Sequence, residues 1–181
     1  STGGFTDCML QNGAKKVYSV DVGYGQLDWK LRTDERVVNL ERTNIRYITE
    51  EQVPEQLDFA SVDVSFISLS LIFPVASDMI KDSGKMVCLI KPQFEAGREQ
   101  VGKKGIVRDR KVHVQVIENV IKYTIKNCLR PAGLTYSPVT GAKGNIEFLL
   151  YIDGKLKQDE IFDDEILDIR EIVNTSHEEL E

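Results

Sequence analysis

Histidine occurs twice in the 181 residues, as His113 and His177, and cysteine three times, as Cys8, Cys88 and Cys128. With so few imidazoles, a histidine-rich metal site or a Ser-His-Asp triad has almost nothing to be built from. The cysteines are far apart, odd in number and free of any C-x-x-C pair. That excludes a disulfide framework and a zinc ribbon, and reads as core thiols in a reducing compartment. No apolar run approaches the roughly 20 residues that span a bilayer. The first residues also lack the charged-then-apolar pattern of a signal peptide, so the expected location is the cytoplasm. An excess of positive charge is missing too: 23 Lys and Arg stand against 29 Asp and Glu, a net charge of −6. A field of that sign repels nucleic acid. The average hides a split, because residues 153–181 hold 11 acids and 3 bases while residues 1–152 hold 20 bases and 18 acids. What remains, 41% apolar and 29% charged in 20.5 kDa, is enough for one globular domain with its own core.

Short apolar runs alternate with amphipathic segments. Residues 16–21, 36–40, 58–64, 85–90, 134–139 and 146–152 read as strands. Residues 5–12, 26–32, 69–81 and 110–129 read as helices, the last closed by Pro131 and Gly133. Strand and helix taking turns predicts an α/β fold with a mostly parallel central sheet flanked by helices. Only residues 140–145 separate the last two strands, so one of them must be antiparallel near the C-terminus. Beyond Asp153, the residues Ile161, Phe162, Ile166, Ile169 and Ile172 or Val173 suggest one stripe of a surface helix.

Residues 1–7 (STGGFTD) form a small-residue loop running into a helix, where a ligand can approach backbone N–H groups at the positive end of the dipole. The next strand ends in Asp21, an acid placed to accept both hydroxyls of a ribose. Two glycines in a row also make an ordinary turn, and the pattern is not the G-x-G-x-x-G of dinucleotide sites. Three further charges stand in or at the ends of apolar strands: Asp63, Lys91 and Glu147. Each alone could simply begin a loop. Unpaired burial there is costly, so together they predict a cluster at one edge of the sheet.

STGGFTD (1–7), VDVGYGQL (20–27), ERTNIR (41–46), DVSFIS (63–68), IKPQFEAG (90–97) and GNIEF (144–148) occur in this order. Together they closely resemble the TlyA family, S-adenosylmethionine-dependent ribosomal RNA 2′-O-methyltransferases with an FtsJ-like catalytic domain, often labelled hemolysins. The resemblance covers residues 1–152 and leaves out the acidic extension at 153–181. It implies a Rossmann-like methyltransferase fold. It also implies an upstream S4-type RNA-binding domain and an upstream first strand, both expected to precede the residues present here. S-adenosyl-L-methionine is the implied cofactor: Gly3, Gly4 and Phe5 would contact its methionine side, Asp21 its ribose, Asn44 its adenine edge, and Asp63 would lie under the sulfonium. Asp63, Lys91 and Glu147 match the last three members of the family's Lys-Asp-Lys-Glu tetrad, the first lysine lying upstream. Lys91 is expected to orient the 2′-hydroxyl, since a lysine acting as base must lose its proton far below its ordinary value of about 10.4. The implied partner is ribosomal RNA or a ribosomal subunit.

For RNA the informative stretch is 91–111, with seven bases against three acids. Arg98, Lys103, Lys104 and Arg108 are the expected phosphate contacts, on a lid kept flexible by Gly97, Gly102 and Gly105. A solvated loop is the plainer alternative. Tyr24 and Trp29 are candidates to stack a base, or else to pack. Three other functions compete. A nicotinamide-dependent oxidoreductase leaves Lys91 and Glu147 without a role. A membrane-active hemolysin needs an exposed apolar or basic amphipathic helix, and the best C-terminal candidate is acidic. The third is a non-catalytic RNA-binding module.

Overall fold

The computed structural model describes residues 1–157, 160–162 and 167–180, apart from the side chain of Ala142. The chain divides into two compact units, Ser1–Gln56 and Leu57–Glu181. In the first, α1 (Gly4–Gln11), β1 (Val17–Val20), α2 (Trp29–Arg32) and β2 (Val37–Leu40) follow one another, and β1 runs parallel to β2. Leu10, Val17, Leu27 and Leu31 form its small core. The helix expected from residue 26 starts at Trp29, because Asp28 holds an extended backbone and caps the Lys30 N–H at 2.9 Å. An N-cap residue is non-helical by nature, so the residues before it cannot belong to the helix.

The second unit contains β3 (Leu57–Val62), α3 (Phe73–Met79), β4 (Ile80–Ile90), α4 (Pro92–Glu95), α5 (Arg110–Lys126), β5 (Leu129–Tyr136), β6 (Phe148–Lys155) and α6 (Ile169–Leu180). Its sheet has the order β3-β4-β6-β5. β3 and β4 are parallel, and β6 is antiparallel to both neighbours. Met86, Cys88 and Ile90 of β4 are buried at alternate positions, as are Phe148, Leu150 and Ile152 of β6. Val116, Ile117, Val120 and Ile121 of α5 are buried as well. Each such side chain contributes about 1.5–3 kcal/mol of burial.

Other boundaries differ from the sequence pattern as well, β6 among them, which spans Phe148–Lys155 rather than 146–152. The helix expected over 69–81 is a single 3-10 turn at Leu69–Leu71 followed by α3, whose first turn contains Pro74. Ile80 then turns extended and pairs with Leu57, so β4 starts well before the apolar run at 85. The long helix ends at Lys126, because Cys128 takes a left-handed φ of 56°. β5 therefore starts at Leu129 and contains Pro131 at a register irregularity. Proline is tolerated there because β5 is an edge strand. In the extension, the expected stripe is shifted. Ile161 is exposed and Ile166 lies outside the described residues, while Val173 of the stripe is buried in α6, together with Ser176 and His177, which the pattern did not include. It packs on α5 and β5, where His177 Nε2 meets His113 Nδ1 at 2.9 Å.

Candidate active site

β3 and β4 are parallel neighbours that end at Val62 and Ile90, so the next residues of each emerge side by side. Lys91 Nζ lies 2.6 Å from Asp63 Oδ1 and donates to Ser65 Oγ at 3.1 Å. In the antiparallel pairing of β4 with β6, Ile90 stands opposite Phe148, which places Lys91 across from Glu147. Glu147 precedes β6 rather than lying within it, and is 7% exposed. It accepts a hydrogen bond from Gln93 Nε2 at 2.9 Å, and the other amide atom, Gln93 Oε1, is buried with no partner among the described residues. A Cβ on Gly141 would overlap the Glu147 carboxylate where it now lies, so a larger residue there would make the acid shift. The sheet thus brings Asp63 and Lys91 into contact and sets Glu147 at the opposite register position.

Two more residues hold this edge in shape. Glu95 accepts from the Leu69 N–H and from Ser68 Oγ, both at 2.7 Å, tying the loop after β3 to α4. Burial pushes the Glu95 carboxyl above its usual range, and the two hydrogen bonds offset this only in part. Phe66 has a φ of 62°, is 89% exposed and rests its ring on Phe94 at 4.8 Å. A bulky residue in the left-handed region is a genuine outlier. Sequence reasoning did not single out Phe66, Gln93, Glu95 or Gly141. All but Gly141 lie inside the quoted motifs, but their importance comes from partners far along the chain.

In the first unit, Gly3 caps α1 with a φ of 98°. A Cβ there would overlap the Leu27 and Leu31 side chains, whereas a Cβ on Gly4 meets nothing within 4 Å. Phe5, at the start of α1, is 44% exposed. Asp21 follows β1, and its Oδ1 accepts the Gly23 N–H at 2.8 Å while Oδ2 faces the Ser1 nitrogen. Glu41 accepts the Gly25 N–H at 2.8 Å and pairs with Arg32, closing the 21–25 loop. Asn44 Oδ1 accepts the Arg46 N–H at 3.1 Å. Tyr24 and Trp29 are exposed, and Arg42 lies over the Tyr24 ring, 4.2 Å from its centre.

The basic stretch carries local hydrogen bonds. Arg98 lies in a 3-10 turn, and Gly97, Gly102 and Gly105 each donate a backbone N–H within the segment, to Gln100, Ile106 and Gly102. Lys103, Lys104 and Arg108 are exposed on a hydrogen-bonded loop.

The FtsJ-like methyltransferase family matches residues 1–153. The chain belongs to this family. It is 58% identical over 153 residues to YqxC of Bacillus subtilis, a protein provisionally named an rRNA methyltransferase, covering 84% of this chain and 54% of that one. It is 41% identical over 152 residues to TlyA of Mycobacterium tuberculosis, named a 16S/23S rRNA (cytidine-2′-O)-methyltransferase, covering 84% of this chain and 57% of that one. The chain thus spans little more than half the length of these curated relatives. A solved structure from Streptococcus thermophilus, provisionally named a hemolysin, is 48% identical with a TM-score of 0.92 and covers 99% of this chain and 64% of that one. Methyltransferases at 14% and 15% identity share the Rossmann-like fold alone, with TM-scores of 0.58 and 0.57. No helix among the described residues is long and apolar enough to cross a membrane.

Proposed function

We propose that residues 1–152 are the catalytic domain of an S-adenosylmethionine-dependent RNA 2′-O-methyltransferase acting on ribosomal RNA in the cytoplasm, with 153–181 an acidic extension. The observation that carries this reading is the Asp63–Lys91 pair with Glu147 at the register position opposite. Family membership supports it.

The first unit fits the cofactor. The space in front of Gly4 is open, and the α1 N-terminus it belongs to favours a carboxylate. Gly3, Gly4 and Phe5 would hold the methionine end, Asp21 the ribose hydroxyls and Asn44 the adenine. When bound, the sulfonium supplies an activated methyl group. The chain's own task is then to place a ribose oxygen and govern its proton. Lys91 donates to the 2′-oxygen and orients it. Asp63 holds the ammonium in place, with Ser65 as its second anchor. Glu147, fixed by Gln93 and the bare backbone of Gly141, supplies a second carboxylate at the same edge.

The test is calorimetry with S-adenosylmethionine on the wild type and Asp21→Ala, alongside transfer of labelled methyl to ribosomal RNA. Removing each charged hydrogen bond costs about 1.5–3 kcal/mol, up to about a hundredfold in affinity. Stabilisation by NAD instead, or unchanged affinity in a folded Asp21→Ala variant, refutes the assignment.

A further inference from the structure

One buried side chain joins the 102–108 loop to the 141–145 turn in the second unit. Asn145, 2% exposed, accepts the Val107 N–H at 3.0 Å and donates to the Gly105 carbonyl at 3.0 Å. His113 of α5 hydrogen-bonds the Val107 carbonyl at 3.1 Å. The turn closes on itself through Gly141 N–H to Asn145 O at 2.8 Å and Gly144 N–H to Gly141 O at 3.0 Å. The two segments frame a cleft of about 390 Å³ lined by Lys104, Ile106, Arg108 and Lys143.

Three of those four residues are cations, and none of the three has an ion pair among the described residues. Lys143 also holds a left-handed backbone, φ 62° and ψ 13°, which glycine adopts freely and a lysine only at a cost. Its Nζ reaches the facing loop, 3.8 Å from where a Cβ on Gly105 would stand. Strain of this kind collects at ligand sites, where the side chain is needed more than an easy backbone. Three like charges brought to one cleft by a buried brace repel one another unless an anion sits among them.

We infer that Lys104, Arg108 and Lys143 form a receptor for the RNA phosphodiester backbone. The inference rests on the reading of RNA as substrate, and it names which cations grip it. Lys143 belongs to the receptor although it lies outside the basic run of the sequence. Lys103 and Arg98 lie inside that run and do not line the cleft. Arg108 offers a planar fork for two phosphate oxygens, and the lysines supply point charges beside it.

The experiment is a salt titration of RNA oligonucleotide binding to the full chain, comparing wild type with Lys143→Gly, with Lys104→Ala plus Arg108→Ala, and with Lys103→Ala. For each phosphate no longer neutralised, the slope of log affinity against log salt falls by about 0.7–0.9, so the change in affinity from about 50 to about 200 mM salt shrinks about threefold. Lys143→Gly should show the slope change of one phosphate while melting no lower than wild type, because glycine relieves the strained turn. The double variant should show the change of two, and Lys103→Ala none. An unchanged slope in Lys143→Gly, or an equal change in Lys103→Ala, overturns the receptor. S-adenosylmethionine binding is measured on the same proteins. If the wild type fails to bind it while the slopes still divide as stated, the methyltransferase reading fails and the phosphate site stands.

Discussion

Replacing Lys91 by methionine keeps the aliphatic stem and removes only the ammonium. In the wild type that ammonium lies 2.6 Å from Asp63 and 3.1 Å from Ser65 Oγ. A buried charge-assisted hydrogen bond is worth about 1.5–3 kcal/mol, and an exposed ion pair about 0–1 kcal/mol. The Lys91 side chain is 13% exposed but that of Asp63 is 38% exposed, so water reaches the carboxylate left behind. The discounted loss is about 1 kcal/mol, far from the roughly 3–5 kcal/mol of a buried charge stripped of its partner. For a chain of this size that lowers the melting temperature by about 2–4 °C. Methyl transfer should respond very differently. Losing the group that places the acceptor oxygen costs about a hundredfold or more. Fluorimetric melting and single-turnover methylation of ribosomal RNA separate the two effects. A folded variant that still methylates near the wild-type rate would sink the catalytic assignment. A drop in melting temperature well beyond about 4 °C would make Lys91 a structural residue instead.

Two further predictions concern the frame around this edge. Asn145→Ala leaves the Val107 N–H and the Gly105 carbonyl without their partner, at about 1–3 kcal/mol for each buried group; amide exchange at Val107 should accelerate, and unchanged protection would show that the brace is not rigid. Glu95 carries its carboxyl above the ordinary range because burial outweighs its two hydrogen bonds. The folded protein therefore binds that proton more tightly than the unfolded chain, so Glu95's contribution is complete below the ordinary value of about 4.3 and is lost as pH rises through the folded one. Urea unfolding of wild type against Glu95→Gln over a pH series from about 4 upward should show a difference that declines with pH, and a flat difference would refute the burial argument.

Some strand ends were legible where an apolar run met a charge, although β6 runs past Asp153 to Lys155. Asp21 does follow β1, and Asp63 and Lys91 follow β3 and β4. The start of β4 was not legible, since residues 80–84 carry no apolar run and join the strand only through pairing with β3. Neither was the end of α5, which depends on one left-handed residue, Cys128. At the site, chemistry showed and support did not: nothing in the spacing of Gln93 or Gly141 tells that both touch Glu147. The charge run from Lys91 to Lys111 was plain, yet which cations share a cleft was hidden, because Lys143 arrives from beyond β5.

The family match stops at residue 153, but the fold does not respect that border. His113 donates its Nε2–H to the Val107 carbonyl at 3.1 Å, so in the neutral ring its Nδ1 is a hydrogen-bond acceptor, and His177 Nε2–H on α6 is placed to donate to it at 2.9 Å. Acidic tail, central helix and basic loop are therefore coupled through a pair of imidazoles. A chain shortened to the region of resemblance keeps every motif residue and still loses the donor at the far end of that relay, and the first place to feel the loss is the loop that presents Lys104 and Arg108.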